Sequence, residues 1–534
     1  MAVGHGWRFW AIFAALSVTS ILSALDASVI STAMPTIVND LGSGPSYVWI
    51  ANAYFLTMTA FQPLYGQTAN IFGRRSLIVL SVVLFAVGSA VSGAAKTTAT
   101  LIAGRAIQGV GGGGINVLVD IIVCDLVPLR ERAQYMGLIF SIFAVALSLG
   151  PVIGGLMTQR VTWRWIFYMN LPICGAALAL LLLSLKVQYK KDSAKNMLKR
   201  VDLAGNALLI ASVLAILLAL TWGGTEHPWG SWRTILPLVL GILGLIGFLG
   251  LESWSGLPEP TMPIRIFSNR TSLATFGLTF VHAILNYWIT YWLPVYFQSV
   301  LEASPTASGV DLLPSAVAAI PFAIIAGGGL TKLGRYRPFH FIGAILLTIT
   351  FGLFTLLDAQ TSTGYWVGIQ IIGAAGSGVL LTTTLPAIQA PLPEADVAVA
   401  TGTWAFLRSF GGIWGVAIPT AIFNSQVNKL LGRIDSADLR STLANGGAYA
   451  MASKDFMLSL NPTPVIKSQV LGVYIDSLKL VWQVGIAFGL LCFIIALVVK
   501  EVPMREQLET EFGLADDEKQ QDVEKPQSTD TNTD

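Results

Sequence analysis

Apolar stretches of about twenty residues recur along this chain so densely that most of it is committed to crossing a lipid bilayer. At 1.5 Å rise per residue, a helix of that length spans the ~30 Å hydrocarbon core. Read against polar and Pro/Gly breaks, fourteen candidate spans emerge. They lie at roughly 8–35, 47–70, 76–95, 99–123, 133–158, 165–186, 202–222, 234–252, 272–298, 310–331, 339–358, 364–388, 398–424 and 478–499. Only 12% of the 534 residues are charged, about half the share expected of a soluble domain. A membrane β-barrel would instead alternate over segments of about ten residues, and no such alternation runs through the chain. The expected class is an all-α polytopic membrane protein. Its first apolar stretch is too long for a cleavable signal and is expected to stay as the first helix.

Placement of charge is more informative than the formal net charge of +2. Short cytoplasmic loops collect Lys and Arg. With the N-terminus in the cytoplasm, that side gathers Arg74, Arg75, Arg130, Arg132, Lys186, Lys190, Lys191, Lys195, Lys199, Arg200, Arg265, Arg270, Lys332, Arg335 and Arg337. The opposite short loops hold Lys96, Arg160, Arg164 and Arg233. Both termini are therefore expected in the cytoplasm. The longest loop, 425–477, would then face outside or a lumen, and Asn269-Arg270-Thr271 would be a glycosylation acceptor on the wrong side. The tail 501–534 is rich in Glu, Asp, Gln and Thr and is expected to be disordered. Nothing points to nucleic acid. Cys124, Cys174 and Cys492 lie in or beside apolar segments as small hydrophobes, without disulfide or metal spacing.

The chain echoes itself. Gly104, Gly109, Gly112 and Gly114 in the fourth span share their spacing with Gly368, Gly373, Gly376 and Gly378 in the twelfth. Gly73-Arg74-Arg75 after the second span is matched by Gly334-Arg335-Tyr336-Arg337 after the tenth. Both echoes are eight spans apart. Two six-helix bundles, 1–190 and 266–500, with two inserted central helices in 191–265, account for that offset. Repeats of this kind build alternating-access carriers, although small residues also serve plain helix packing.

Asp26 is the one carboxylate of the first span, in Leu25-Asp26-Ala27-Ser28-Val29-Ile30. Such a group needs a partner, a water-filled cavity or a proton, and a carboxylate in a low-dielectric cavity can alternate between charged and neutral forms. Arg105, within Leu101-Ile102-Ala103-Gly104-Arg105-Ala106-Ile107-Gln108-Gly109, is equally costly unpaired, and Asp26 is its obvious partner.

Four stretches resemble the major facilitator superfamily, and within it the fourteen-span drug:proton antiporters of fungal toxin-efflux type. The first runs from Leu25 to Ile37. Gly66-Gln67-Thr68-Ala69-Asn70-Ile71-Phe72-Gly73-Arg74-Arg75 is similar to the family's cytoplasmic loop between spans two and three, with Asn70 and Ile71 where an aspartate and an arginine are usual. The Arg105 stretch is the third. Leu149-Gly150-Pro151-Val152-Ile153-Gly154-Gly155 is similar to the motif associated with antiporters, and its Gly150 and Gly154 share a helix face that lets another backbone approach. The resemblance implies the major facilitator fold, proton coupling through Asp26 and Arg105, gating at Gly150, Pro151, Gly154 and Gly155, and a loop latch at Gly66, Asn70, Gly73, Arg74 and Arg75.

Other polar groups are candidates for the substrate cavity: Gln108 and Asn116 in the fourth span, His282 and Asn286 in the ninth, with Gln370 and Gln389 as second-half candidates. Arg408 in span thirteen needs a partner, whereas Asp120, nearer the cytoplasmic end, is expected to be solvated. Trp288, Trp292 and Tyr296 share a helix face by i,i+4 spacing and read best as an interfacial aromatic belt. The expected function is proton-coupled efflux of a small amphipathic organic compound across the plasma membrane, with no cofactor or metal. A vacuolar setting is the alternative, and the sequence allows a monomer. A siderophore or basic amino-acid carrier, or a non-transporting sensor, are the rival readings. The Gly-x-x-x-x-Gly-Lys-Ser/Thr pattern of ATP-driven pumps is absent, and no nucleophile–base set suggests an enzyme.

Overall fold

The computed structural model describes residues 6–42, 48–185, 193–224, 227–254 and 259–507. Lys186, Lys190 and Lys191, and all of the 501–534 tail beyond residue 507, lie outside the described residues. A first group of helices comprises α1 (Trp7–Leu41), α2 (Val48–Phe72), α3 (Arg74–Gly93), α4 (Thr98–Leu126), α5 (Leu129–Arg160), α6 (Trp165–Tyr168) and α7 (Asn170–Ser184). Short α8 (Ala194–Arg200) leads into the paired α9 (Leu203–Trp222) and α10 (Trp232–Glu252). A second group begins with α11 (Arg270–Ser299), α12 (Pro305–Asp311), α13 (Leu313–Leu333), α14 (Arg337–Phe354), α15 (Thr363–Gln389) and α16 (Val397–Leu430). Three short helices follow, α17 (Ala437–Leu443), α18 (Gly447–Ala450) and α19 (Lys454–Ser459), before α20 (Pro464–Val498) closes the group.

Local chemistry sets several boundaries. Thr97, Asp202 and Asn269 cap α4, α9 and α11 by accepting the backbone N–H of Thr100, Gly205 and Thr271, donors that a helix start leaves unsatisfied. The Asn269 side chain thus serves as a helix cap. Gly42 and Gly334 end α1 and α13 in the left-handed conformation, which costs glycine nothing.

Among the described residues, thirteen helical segments are long and apolar enough to cross a membrane. The expected second span folds as α2, whose 25 residues reach about 37 Å. It is not among the thirteen because Asn52, Gln62, Gln67 and Asn70 dilute its apolarity. Helix α2 packs against α4 on one side and α16 on another, so protein rather than lipid surrounds most of those amides.

The glycine echo has a packing cause. A Cβ at Gly109 would collide with Thr57 and the Tyr54 carbonyl of α2, and one at Gly111 would lie 2.5 Å from the Phe85 nitrogen of α3. In α15, a Cβ at Gly378 would lie 2.6 Å from the Ala319 carbonyl of α13, and one at Gly376 would lie 2.9 Å from the Gly343 carbonyl of α14. Helices α4 and α15 are thus each wedged against the two helices that precede them. Gly368 is the exception: nothing would meet a Cβ there.

Two expectations about helix ends and helix faces fail. The loop 425–477 is shorter, because α16 runs to Leu430 and α20 starts at Pro464. Lys467, Gln469, Asp476 and Lys479 disguise that start, but Val470, Val473 and Tyr474 bury one face of the added turns, and Pro464 suits a first helical turn. The aromatic-belt reading fails for Trp288, Trp292 and Tyr296, which are 0%, 0% and 1% exposed. Their rings pack inside the second group against Phe351, Phe423 and Phe297.

Candidate functional site

Asp26 lies in the interior of α1, well away from either end, and is fully buried. Three donors converge on its carboxylate. Arg105 Nη1 reaches Oδ2 at 2.5 Å, while Gln108 Nε2 and Asn170 Nδ2 reach Oδ1 at 2.6 and 3.0 Å. Arg105 also donates from Nη1 to Gln108 Oε1 and from Nε to the Ile50 carbonyl. The Tyr54 ring lies 4.3 Å from its guanidinium carbon, near enough for cation–π attraction. The expected pair Asp26–Arg105 is therefore a real contact, and Gln108 belongs with it. Asn170 and Tyr54 join the cluster without having been legible in the sequence. Asn170 opens α7 after an aromatic segment, where one amide carries no spacing signal.

Asn116 accepts from Ser23 Oγ at 3.1 Å, and that hydroxyl lies 3.4 Å from the Tyr54 hydroxyl at the edge of the cluster. His282 and Asn286 are joined through Ser377, whose Oγ lies 3.0 Å from His282 Nε2 and donates to Asn286 Oδ1 at 3.0 Å. Gln370 instead pairs with Ser315 and the Asp311 carbonyl. Asp120 is not solvated: it is 2% exposed, and Arg408 of α16 lies 3.9 Å from its Oδ2. Burial follows because α16 covers that stretch of α4. Between α1 and α5 lies an apolar recess of about 300 Å³ lined by Ile21, Leu25, Ser141, Ile142, Val145 and Leu149, among others.

The loop stretch 66–75 works in two directions. Arg74, buried, donates to Asp125 of α4 at 2.8 Å and to the Ala69 carbonyl, and Arg75 donates to the Leu182 carbonyl of α7. Gly73 supplies the positive φ of +80° between α2 and α3. Gly66 and Asn70 face the second group: a Cβ at Gly66 would lie 3.1 Å from Gly402 Cα, and Asn70 Nδ2 reaches the Ala395 carbonyl at 3.5 Å.

Further contacts join the groups at this same end, which carries most of the loop arginines. Arg132 donates to Gln389 at 2.9 Å and Glu394 at 2.8 Å. Arg130 donates to the Thr331 carbonyl at 2.8 Å, while Arg265, in the segment that leads into the second group, pairs with Asp396 within that side at 2.7 Å. At the far end of α1, Trp163 and Arg164 both donate to Asp40. Those bonds, with the indole first, hold its carboxyl below the usual aspartate range.

The 150–155 stretch packs α5 onto α1. A Cβ at Gly150 would meet Ser28, and one at Gly154 would meet the Val29 carbonyl and Thr32. Thr32 donates to the Pro151 carbonyl at 3.1 Å. Gly155 has open space. Gly154→Ala should therefore cost about 1–3 kcal/mol through overpacking, whereas Gly155→Ala should leave the melting temperature of purified protein unchanged or raise it. Equal effects in the two variants would contradict the packing.

Residues 16–416 match the family model described as Major Facilitator Superfamily. The chain is 52% identical over 513 residues to "Efflux pump FUS6" of Gibberella fujikuroi, covering 96% of this chain and 92% of that protein. It is 51% identical over 510 residues to "MFS-type efflux pump LUC4" of a Fusarium species, covering 95% and 90%. Among solved structures, it is similar in fold to the human organic anion transporter MFSD10 (TETRAN), with a TM-score of 0.58 at 15% identity, covering 92% of this chain and 100% of that one. The proton:xylose symporter XylE gives a TM-score of 0.56 at 14% identity, covering 93% and 98%.

Proposed function

This chain belongs to the major facilitator superfamily, and we propose that it exports an amphipathic organic compound, such as a toxin or secondary metabolite, in exchange for protons. It is a multi-pass membrane transporter and not an enzyme. The relatives named as efflux pumps support the direction of transport. The observation that supports proton coupling is the fully buried Asp26, held by Arg105, Gln108 and Asn170.

In this reading Asp26 exchanges Arg105 for another partner in the course of the cycle. Helix α1 carries Asp26 and abuts α5 at Gly150 and Gly154, so a shift of α5 against α1 is a direct way to change that pairing. Gly155, which meets nothing, has no part in this contact. The contacts around Arg132 and Arg130 close the cytoplasmic end in this arrangement, with Gly66 and Asn70 as part of the closure and Arg74 and Arg75 bracing the first group behind it. Asn116, His282 and Asn286 supply polar groups to the substrate path. Both termini are cytoplasmic, the membrane is the plasma membrane, and one copy of the chain suffices.

The test is reconstitution of the full chain into proteoliposomes with an imposed pH gradient and a panel of amphipathic toxins and dyes. Substrate movement should follow the gradient, stop when an ionophore collapses it, and release or consume protons in step. Transport indifferent to the ionophore would remove proton exchange from the mechanism.

A further inference from the structure

Arg408 is the second arginine set deep in the apolar helices, and its surroundings differ from those of Arg105. Its side chain is 23% exposed, and no protein hydrogen bond reaches it among the described residues. The nearest carboxylate, Asp120, stands off at 3.9 Å, beyond hydrogen-bonding distance, and Asp120 Oδ2 is itself buried without a hydrogen-bond partner. The rings of Trp404 and Phe140 lie 4.4 and 5.2 Å from the guanidinium carbon. Ring faces attract a cation but leave its N–H donors unused. A planar fork of free donors with partial access is built to take a carboxylate or similar anion.

Resting on the efflux reading above, we infer that Arg408 anchors the acidic group of the exported compound, which is an amphipathic monoanion such as a carboxylate. The rings of Phe140 and Trp404 beside the guanidinium offer apolar surface to the body of the compound while Arg408 holds its head. Asp120 competes for the same guanidinium from the opposite side of the junction between α4 and α16. A cationic compound is disfavoured, because Asp120 is 2% exposed and Arg408 would repel it.

The test is equilibrium binding to the purified full chain, read as energy transfer from tryptophan to pyrene. The probes are 1-pyrenebutyrate, its primary amide and 1-pyrenebutylamine. The acid should bind roughly tenfold or more tighter than the amide, the scale of one charge-assisted hydrogen bond, and the amine weakest. Arg408→Gln should erase the preference, Arg408→Lys should keep part of it, and Asp120→Asn should strengthen it. Equal binding of the three probes to the unaltered chain, binding of none, or a preference that survives Arg408→Gln would overturn the inference. The unaltered chain decides the matter even where a variant fails to fold. Export from cells with no charge preference in binding would sink the anchor and leave the efflux reading standing. A clear preference without export would do the reverse.

Discussion

Arg105→Gln should lower the stability of the protein by about 3–5 kcal/mol, the cost of leaving a buried carboxylate without its cation. Asp26 would keep the amide donors of Gln108 and Asn170 but lose the guanidinium at 2.5 Å. Asp26→Asn should cost less, because Arg105 keeps Gln108, the Ile50 carbonyl and the Tyr54 ring. The double variant Asp26→Asn/Arg105→Gln removes both charges and should recover most of the stability. It should not recover substrate-linked proton movement, which needs a group able to ionise. Thermal unfolding of the four proteins gives the first half of this comparison, and proton flux in proteoliposomes gives the second. Recovery of both in the double variant would reduce the pair to a structural bridge.

Gly109→Leu should be comparably damaging, at roughly 3 kcal/mol or more. The obstruction is the backbone carbonyl of Tyr54 in α2, which cannot step aside as a flexible side chain would. Tyr54 also covers Arg105, so displacing α2 disturbs the Asp26 cluster as well as the packing. Gly368→Ala is the matched control, because it lies in the repeated glycine pattern yet faces open space. It should be neutral or stabilise its helix by about 0.5–1 kcal/mol, the usual gain on replacing an interior glycine. Melting curves of purified variants separate the two outcomes, and a wild-type melt for Gly109→Leu would refute the close approach of α4 to α2.

Legibility in the sequence tracks the cost of error. Two opposite charges in apolar helices are so expensive apart that residue chemistry alone pairs Asp26 with Arg105. Most helix ends are readable, to within a few residues, from polar and Pro/Gly breaks. Asn170 is not, because a neutral amide is affordable in many places and carries no periodicity. Arg408 clearly needs a partner, but nothing local points to Asp120, which comes from a helix far away in the chain. Aromatic residues mislead for a related reason. Trp288, Trp292 and Tyr296 have the spacing of a helix face, and spacing does not say whether that face meets lipid or another helix. The start of α20 is hidden because polar residues on one side of an amphipathic turn look like a loop when read in order.

The contacts joining the two helix groups around Arg132 and Arg130 have a kinetic consequence. A carrier that alternates must break this junction once per cycle, so its strength forms part of the activation barrier to turnover. Each 1.4 kcal/mol added to the closed junction and absent from the transition state slows opening about tenfold. Side chains that swap partners with water suit such a place better than a dry apolar seam, whose separation would expose surface with nothing to replace the lost contacts. Resistance to heat and speed of export are therefore set in opposition at this one end of the molecule, and a sequence optimised there for stability would be a slower pump.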